Sequence, residues 1–135
     1  MSVEKIVSKN EFENVILNNK IAVVHFYAEW ATQCGPMNTV LDEMARQPSF
    51  RRVHFAKIEA EVVPEISVQY KISAVPTFII FKDGEKVDVV NGANPAELTN
   101  KINKHAGTNA PTPSVVINPS GQTLEDRLKT LINLP

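Results

Sequence analysis

Cys34 is the one thiol in a chain of 135 residues. A lone cysteine excludes an internal disulfide framework, an intramolecular dithiol and a C-x-x-C thiolate metal site. What is left to it is single-thiol chemistry: mixed-disulfide exchange, glutathionylation or pairing with another chain. Whether such a thiol reacts depends on its thiolate fraction, which the positive end of a helix raises. Gly35-Pro36 follows it, and proline favours the first helical position, so a helix starting there would put Cys34 at that end. A start near Thr32 accommodates Pro36 equally well, because the N–H groups of a first turn lack intrahelical acceptors anyway. The sulfur would then lie one turn inside. Three scattered histidines, His25, His54 and His105, with one cysteine make no metal site. His25 stands inside an apolar run, as either a base of near-neutral pKa or a buried, hydrogen-bonded neutral imidazole. His54 and His105 read as surface or boundary residues.

The elements that must position these groups follow from the spacing of apolar residues. Ser8-Lys-Asn-Glu11 is a capping box, and Phe12, Val15 and Ile16 share one helical face, so a first helix is predicted to run to about Asn18. Ile21-Ala-Val-Val-His-Phe26 is too short for a helix and rich in β-branched residues, which predicts a fully buried central strand. Met37, Val40, Leu41, Met44 and Ala45 form the stripe of a second helix, with both methionines in the core. Val53 to Ile58 reads as a strand, Val62 to Tyr70 as a short helix with Pro64 in its first turn, and Thr77 to Phe81 as a strand. Asp83-Gly84 is the turn of a hairpin whose second arm is Val87 to Val90. Asn94-Pro95 caps a last helix with Leu98, Ile102 and Ala106 inside. Alternating strands and helices followed by a hairpin and a closing helix predict an α/β fold, a central mixed sheet flanked by helices on both faces.

Fourteen Lys and Arg against 15 Asp and Glu give a net charge of −1. That leaves no electrostatic basis for binding nucleic acid or an anionic membrane. The first ten residues carry charge throughout, and no segment approaches the roughly 20 apolar residues of a membrane span, so a soluble, intracellular chain is expected. From residue 107 to 122 Pro, Gly, Ser, Thr and Asn dominate, as in a flexible, protease-sensitive linker. Leu124, Leu128, Leu131 and Ile132 then form an apolar stripe, which is expected either to fold back onto the first domain or to belong to a further domain, the second being the preferred reading.

Val24-His-Phe-Tyr-Ala-Glu-Trp30, Cys34, Leu41-Asp-Glu43, Ala74-Val-Pro-Thr77, Phe81-Lys-Asp-Gly84 and Asn91-Gly-Ala93 occur in one order with ungapped spacing. Over about residues 5 to 106 they resemble thioredoxin, which implies the thioredoxin fold. Trp30-Ala-Thr-Gln-Cys34 lies on the family's Trp-Cys-Gly-Pro-Cys. Ala31 therefore replaces the attacking cysteine, Cys34 matches the resolving one, and His25 matches the buried acid behind it. Val75-Pro76-Thr77 matches the loop in which thioredoxins hold a cis proline, the one residue type before which a cis bond is cheap. Trp30 and Gly92 match the walls of the groove that takes an extended peptide.

Trp-Ala-x-Gln-Cys, Lys57-Ile-Glu-Ala-Glu61, Val63-Pro-Glu65 and the segment Leu124 to Asn133 resemble more narrowly the amino-terminal domain of multidomain monothiol glutaredoxins, the PICOT group. The resemblance implies a thioredoxin-like domain over residues 1–106, a linker over 107–122, and at 123–135 the truncated start of a following glutaredoxin domain. It implies a redox-inactive docking module for iron-sulfur cluster delivery, iron homeostasis and cell redox homeostasis, in the cytoplasm and also the nucleus. Its partners would be proteins held in the cis-proline groove, the downstream glutaredoxin domains and, through those, BolA-like proteins. No cofactor is expected in this domain. A cluster bound with glutathione belongs to the Cys-Gly-Phe-Ser motif of the absent domains. The alternative is a single-cysteine, glutathione-dependent oxidoreductase or redox sensor using Cys34.

Overall fold

The computed structural model describes residues 3–107; the stretches assigned above to linker and following domain lie outside the described residues, apart from Gly107. The strands are β1 (Glu4–Ile6), β2 (Ile21–Tyr27), β3 (Val53–Glu59), β4 (Thr77–Lys82) and β5 (Glu85–Asn91). The helices are α1 (Lys9–Asn18), α2 (Cys34–Arg46), α3 (Pro64–Gln69) and α4 (Pro95–Ala106), with a 3-10 turn over Pro48–Phe50. The strands form one sheet in the order β1-β3-β2-β4-β5. β3 pairs parallel with β1 and β2, whereas β4 runs antiparallel to β2 and β5.

All seven residues of β2 are buried, because helices cover both faces of the sheet. On one face Met37, Leu41 and Met44 of α2 and Leu98 and Ile102 of α4 pack on Val23, Phe78 and Ile80. On the other, Phe12 and Ile16 of α1 and Ile66 of α3 pack on Ala22, Val24, Phe26, Ile79 and Phe81. Each such fully buried side chain contributes about 1.5–3 kcal/mol relative to exposure, and both methionines are among them. This is the thioredoxin fold, with its mixed sheet between two helical layers.

Most element ends have a local cause. Ser8 accepts from the Glu11 N–H at 3.1 Å, while the Glu11 carboxylate reaches back to the Val7 N–H at 2.9 Å, one residue beyond the usual capping box. Asp83 and Gly84, at φ 53° and 84°, make the hairpin turn. Asn94 Oδ1 accepts from the Glu97 N–H at 3.1 Å, and Gly107 closes α4 at φ 71°. α4 is tied to β5 through Asp88, which accepts from Lys101 Nζ at 3.1 Å and pairs with His105 Nε2 at 2.9 Å. Burial alone would raise the Asp88 carboxyl, but the hydrogen bonds from His105 and Lys101 outweigh it and hold the pKa at about 2.

Three differences from the sequence reading have physical reasons. β1 was not expected: its single buried residue, Ile6, gives no periodicity, and its partner strand lies some fifty residues on. α3 starts at Pro64 rather than Val62, since proline biases the residue before it toward extended backbone, and Val63 sits at φ −123°, ψ 71°. α2 begins at Cys34, so the thiol is not one turn inside the helix. Pro36 has no N–H to offer the Thr32 carbonyl, which keeps the regular ladder from starting earlier.

Candidate functional site

The end of β2 fixes the site. After Tyr27, whose carbonyl accepts from the Ala60 N–H at 2.8 Å, the chain turns through Ala31 N–H to Ala28 O at 3.1 Å and Cys34 N–H to Ala31 O at 3.0 Å into α2. Ala31 and Cys34 thus close one i to i+3 turn. The Cys34 side chain points inward and is 1% exposed. Its position at a helix start favours the thiolate, yet burial wins and pushes the thiol pKa up, with a backbone hydrogen bond from Ala28 opposing.

Trp30 lies outside. A Trp carries roughly 150–250 Å² of surface that a core would use, but here it is 71% exposed. Its indole is not loose, because Nε1 donates to Glu61 Oε1 at 2.6 Å. Glu61 was not singled out as a site residue; a contact across 31 positions leaves no local trace in sequence.

Register brings the remaining positions expected to line a groove to the same end of the sheet. Phe26 pairs with Thr77, and Thr77 with Asn91. The Val75-Pro76 bond is cis. Thr77 Oγ1 donates to Ala74 O at 2.7 Å, and Gly92 N–H to Pro76 O at 2.8 Å. Gly92 has φ 87°, and a Cβ there would meet nothing within 4 Å, so glycine serves the backbone conformation rather than close packing. Among the described residues neither the N–H nor the carbonyl of Val75 is engaged by backbone or side chain. An extended segment laid along it finds a free donor and a free acceptor.

His25 is fully buried, stacked on Phe78 with ring centroids 4.4 Å apart. Of the two readings, the buried neutral imidazole fits, but among the described residues neither ring nitrogen has a partner at hydrogen-bonding geometry, nor has Oδ1 of Asn38. Desolvation lowers the His25 pKa to about 3; Asn38 offsets part of this and the Lys57 charge adds to it. The imidazole is neutral at pH 7 and a weak base. His54 and His105 sit at the boundary and pair with Glu4 and Asp88, each at 2.9 Å. Cys34 lines a depression of about 320 Å³ with Lys5, Tyr27, Asn38 and Lys57, on which none of Trp30, Val75, Pro76, Thr77 or Gly92 opens. Among the described residues no three of His, Cys, Asp and Glu are grouped to hold a metal ion, and no helix is long and apolar enough to cross a membrane.

Fold and site together define a protein of the thioredoxin class, and the chain belongs to the thioredoxin family, whose model, described as Thioredoxin, matches residues 3–104. Thioredoxin of Malassezia sympodialis superposes with a TM-score of 0.73 at 33% identity, covering 78% of this chain and 91% of that one. Relatives of a narrower kind are also found. Glutaredoxin-3 of Bos taurus is 43% identical over 132 residues, 96% of this chain but 39% of that protein. Human glutaredoxin-3 is 45% identical over 115 residues, 84% of this chain and 34% of that protein. Monothiol glutaredoxin-S17 of Arabidopsis thaliana is 43% identical over 107 residues, 79% and 22%. The chain thus spans well under half the length of these glutaredoxins, a fit to the thioredoxin-like domain of a multidomain monothiol glutaredoxin.

Two outcomes follow for the buried groups. Between the unfolded histidine pKa of 6.5 and the folded value of about 3, the unfolded chain binds one more proton at residue 25. The His25 contribution is therefore fully present above pH 6.5 and is lost as pH falls, by up to about 1.4 kcal/mol per unit. Asp88 adds to acid loss only below about pH 4, since its folded pKa is depressed. Urea unfolding between pH 7 and 5 is expected to show a slope in wild type that drops by about one proton in His25→Leu; equal slopes in the two would contradict it. Cys34 is expected to react slowly with iodoacetamide, its rate-versus-pH midpoint above the ~8.5 of a free cysteine. A midpoint in the acidic range, abolished in Cys34→Ser, would show an activated thiolate.

Proposed function

We propose that this chain is a redox-silent docking module of a monothiol glutaredoxin. One observation carries the reading: Ala31 stands where the thioredoxin motif needs its attacking thiol, while the peptide-facing turn around Val75, Pro76 and Gly92 is kept, with Val75 free to pair. Disulfide exchange begins with a thiolate, and alanine has nothing to ionise. Cys34, left as the chain's sole thiol, is buried with a raised pKa. On this reading Trp30, Val75, Pro76, Thr77 and Gly92 hold an extended segment of a partner protein, and no reaction follows. On the resemblance to the amino-terminal domain of monothiol glutaredoxins, the module would work in iron-sulfur cluster delivery, iron homeostasis and redox homeostasis, in the cytoplasm and the nucleus. The cluster and its glutathione, and BolA-like partners, would be held by glutaredoxin domains, not by Cys34.

A second reading is favoured by one specific feature. Cys34 is the first residue of α2 and lines an opening beside Lys5 and Lys57, so a glutathione-dependent oxidoreductase or redox sensor would place its thiol here. Desolvation works against it.

The discriminating assay is reduction of insulin disulfides coupled to thioredoxin reductase. No turnover above background is expected from the wild-type chain, because a mixed disulfide formed without a second thiol does not resolve. Turnover at a thioredoxin-like rate would overturn the docking reading.

A further inference from the structure

A second depression, of about 310 Å³, adjoins the cis-proline turn at Thr77 and is lined among others by Tyr70, Lys71, Ser73, Lys86 and Asn91. Its volume is at the lower end of the roughly 300–1,000 Å³ of ligand pockets. Its charge is one-sided. Two lysines face it, no carboxylate lines it, and among the described residues neither lysine is in an ion pair, although the chain has 15 acidic residues to offer. Donors complete the set: the Tyr70 phenol, the Ser73 hydroxyl and the Asn91 amide.

The backbone under Lys71 is unusual. Ile72 N–H to Ser67 O at 2.9 Å and Lys71 N–H to Val68 O at 3.1 Å form a Schellman end to α3. Lys71 takes the left-handed place in it at φ 56°, where glycine sits without strain, asparagine is the next most frequent, and a residue such as lysine costs of order 1–3 kcal/mol. The turn alone gives no reason for lysine there. Position supplies the rest. Thr77 follows Pro76 and Asn91 precedes Gly92, so the depression begins where the groove ends.

We propose that this pocket holds an anionic side-chain group, carboxylate or phosphate, on the extended segment that pairs with Val75, and so selects acidic or phosphorylated partners. The inference rests on the docking reading given above. Lys71 and Lys86 supply charge, and the phenol, whose pKa burial raises, stays protonated as a donor.

The test is an amide chemical-shift titration of the 135-residue chain, first with inorganic phosphate, then with one extended peptide carrying Ala, Glu or phosphoserine at a single position. Phosphate is expected to give saturable shifts confined to residues 70–73 and Asn91, about tenfold weaker in Lys71→Gln/Lys86→Gln and weakened by salt. The Glu or phosphoserine peptide should bind at least about fivefold tighter than the Ala peptide and lose that preference in the double variant; which of the two gains more identifies the group. Both lysines are exposed, so the variant is expected to fold. Shifts that do not saturate, spread over lysines generally, or persist in the double variant would overturn the pocket, leaving Lys86 as edge-strand protection only. Saturable phosphate binding with no peptide moving residues 74–77 or Gly92 would instead overturn the docking reading and, with it, the peptide assignment, while an anion pocket stood.

Discussion

Everything near the site depends on β2 being bonded on both edges and covered on both faces. A strand with no solvent-facing residue has no freedom to slip, because a shift of one residue would exchange Val23 with Val24 between two filled cores. Its carboxyl end is therefore a fixed point. Tyr27 is pinned to Ala60, Phe26 to Thr77 and Thr77 to Asn91. From that point the chain can place Trp30 outward and Cys34 inward within one turn, and Pro76 and Gly92 arrive at the same level. The cost appears at His25, whose buried ring nitrogens have no hydrogen-bond partner of good geometry among the described residues. Stacking on Phe78 and a neutral ring make this tolerable at pH 7.

The opposing influences on Cys34 decide what the site does. A helix start contributes typically 0.3–1 kcal/mol toward an anion when exposed, whereas desolvation of a thiolate in an apolar setting is larger. The observed balance, a raised pKa, follows from the sulfur being turned into the core by the Ala28-Ala31-Cys34 turn. Helix position alone would have suggested the opposite.

What could be read from sequence was what repeats or caps locally. The buried run of β2, the stripe of α2, the Asp83-Gly84 turn and the Asn94 cap each carry their signal within a few residues. The features missed are those whose cause lies far along the chain. β1 exists because Glu4, Lys5 and Ile6 meet Ala56, Lys57 and Ile58, and Trp30 is steadied by Glu61. The start of α2 stayed open in sequence because proline is common in a first helical turn, and only the hydrogen bond that Pro36 cannot give the Thr32 carbonyl separates the two starts. The pocket at Lys71 and Lys86 joins a helix end to an edge strand that no window of sequence links.

On the docking reading, one residue, Ala31, separates this site from a working dithiol. An i to i+3 turn brings Cα atoms within about 7 Å, and disulfides span Cα separations of about 4.4–6.8 Å, so the Ala31-to-Cys34 turn already has the geometry. The measurement is intact mass and thiol count of Ala31→Cys after mild oxidation, beside its insulin reductase activity. Closure of one intramolecular disulfide with a gain of turnover is the expected result. A variant that stays fully reduced, or pairs only between chains, would contradict the claim.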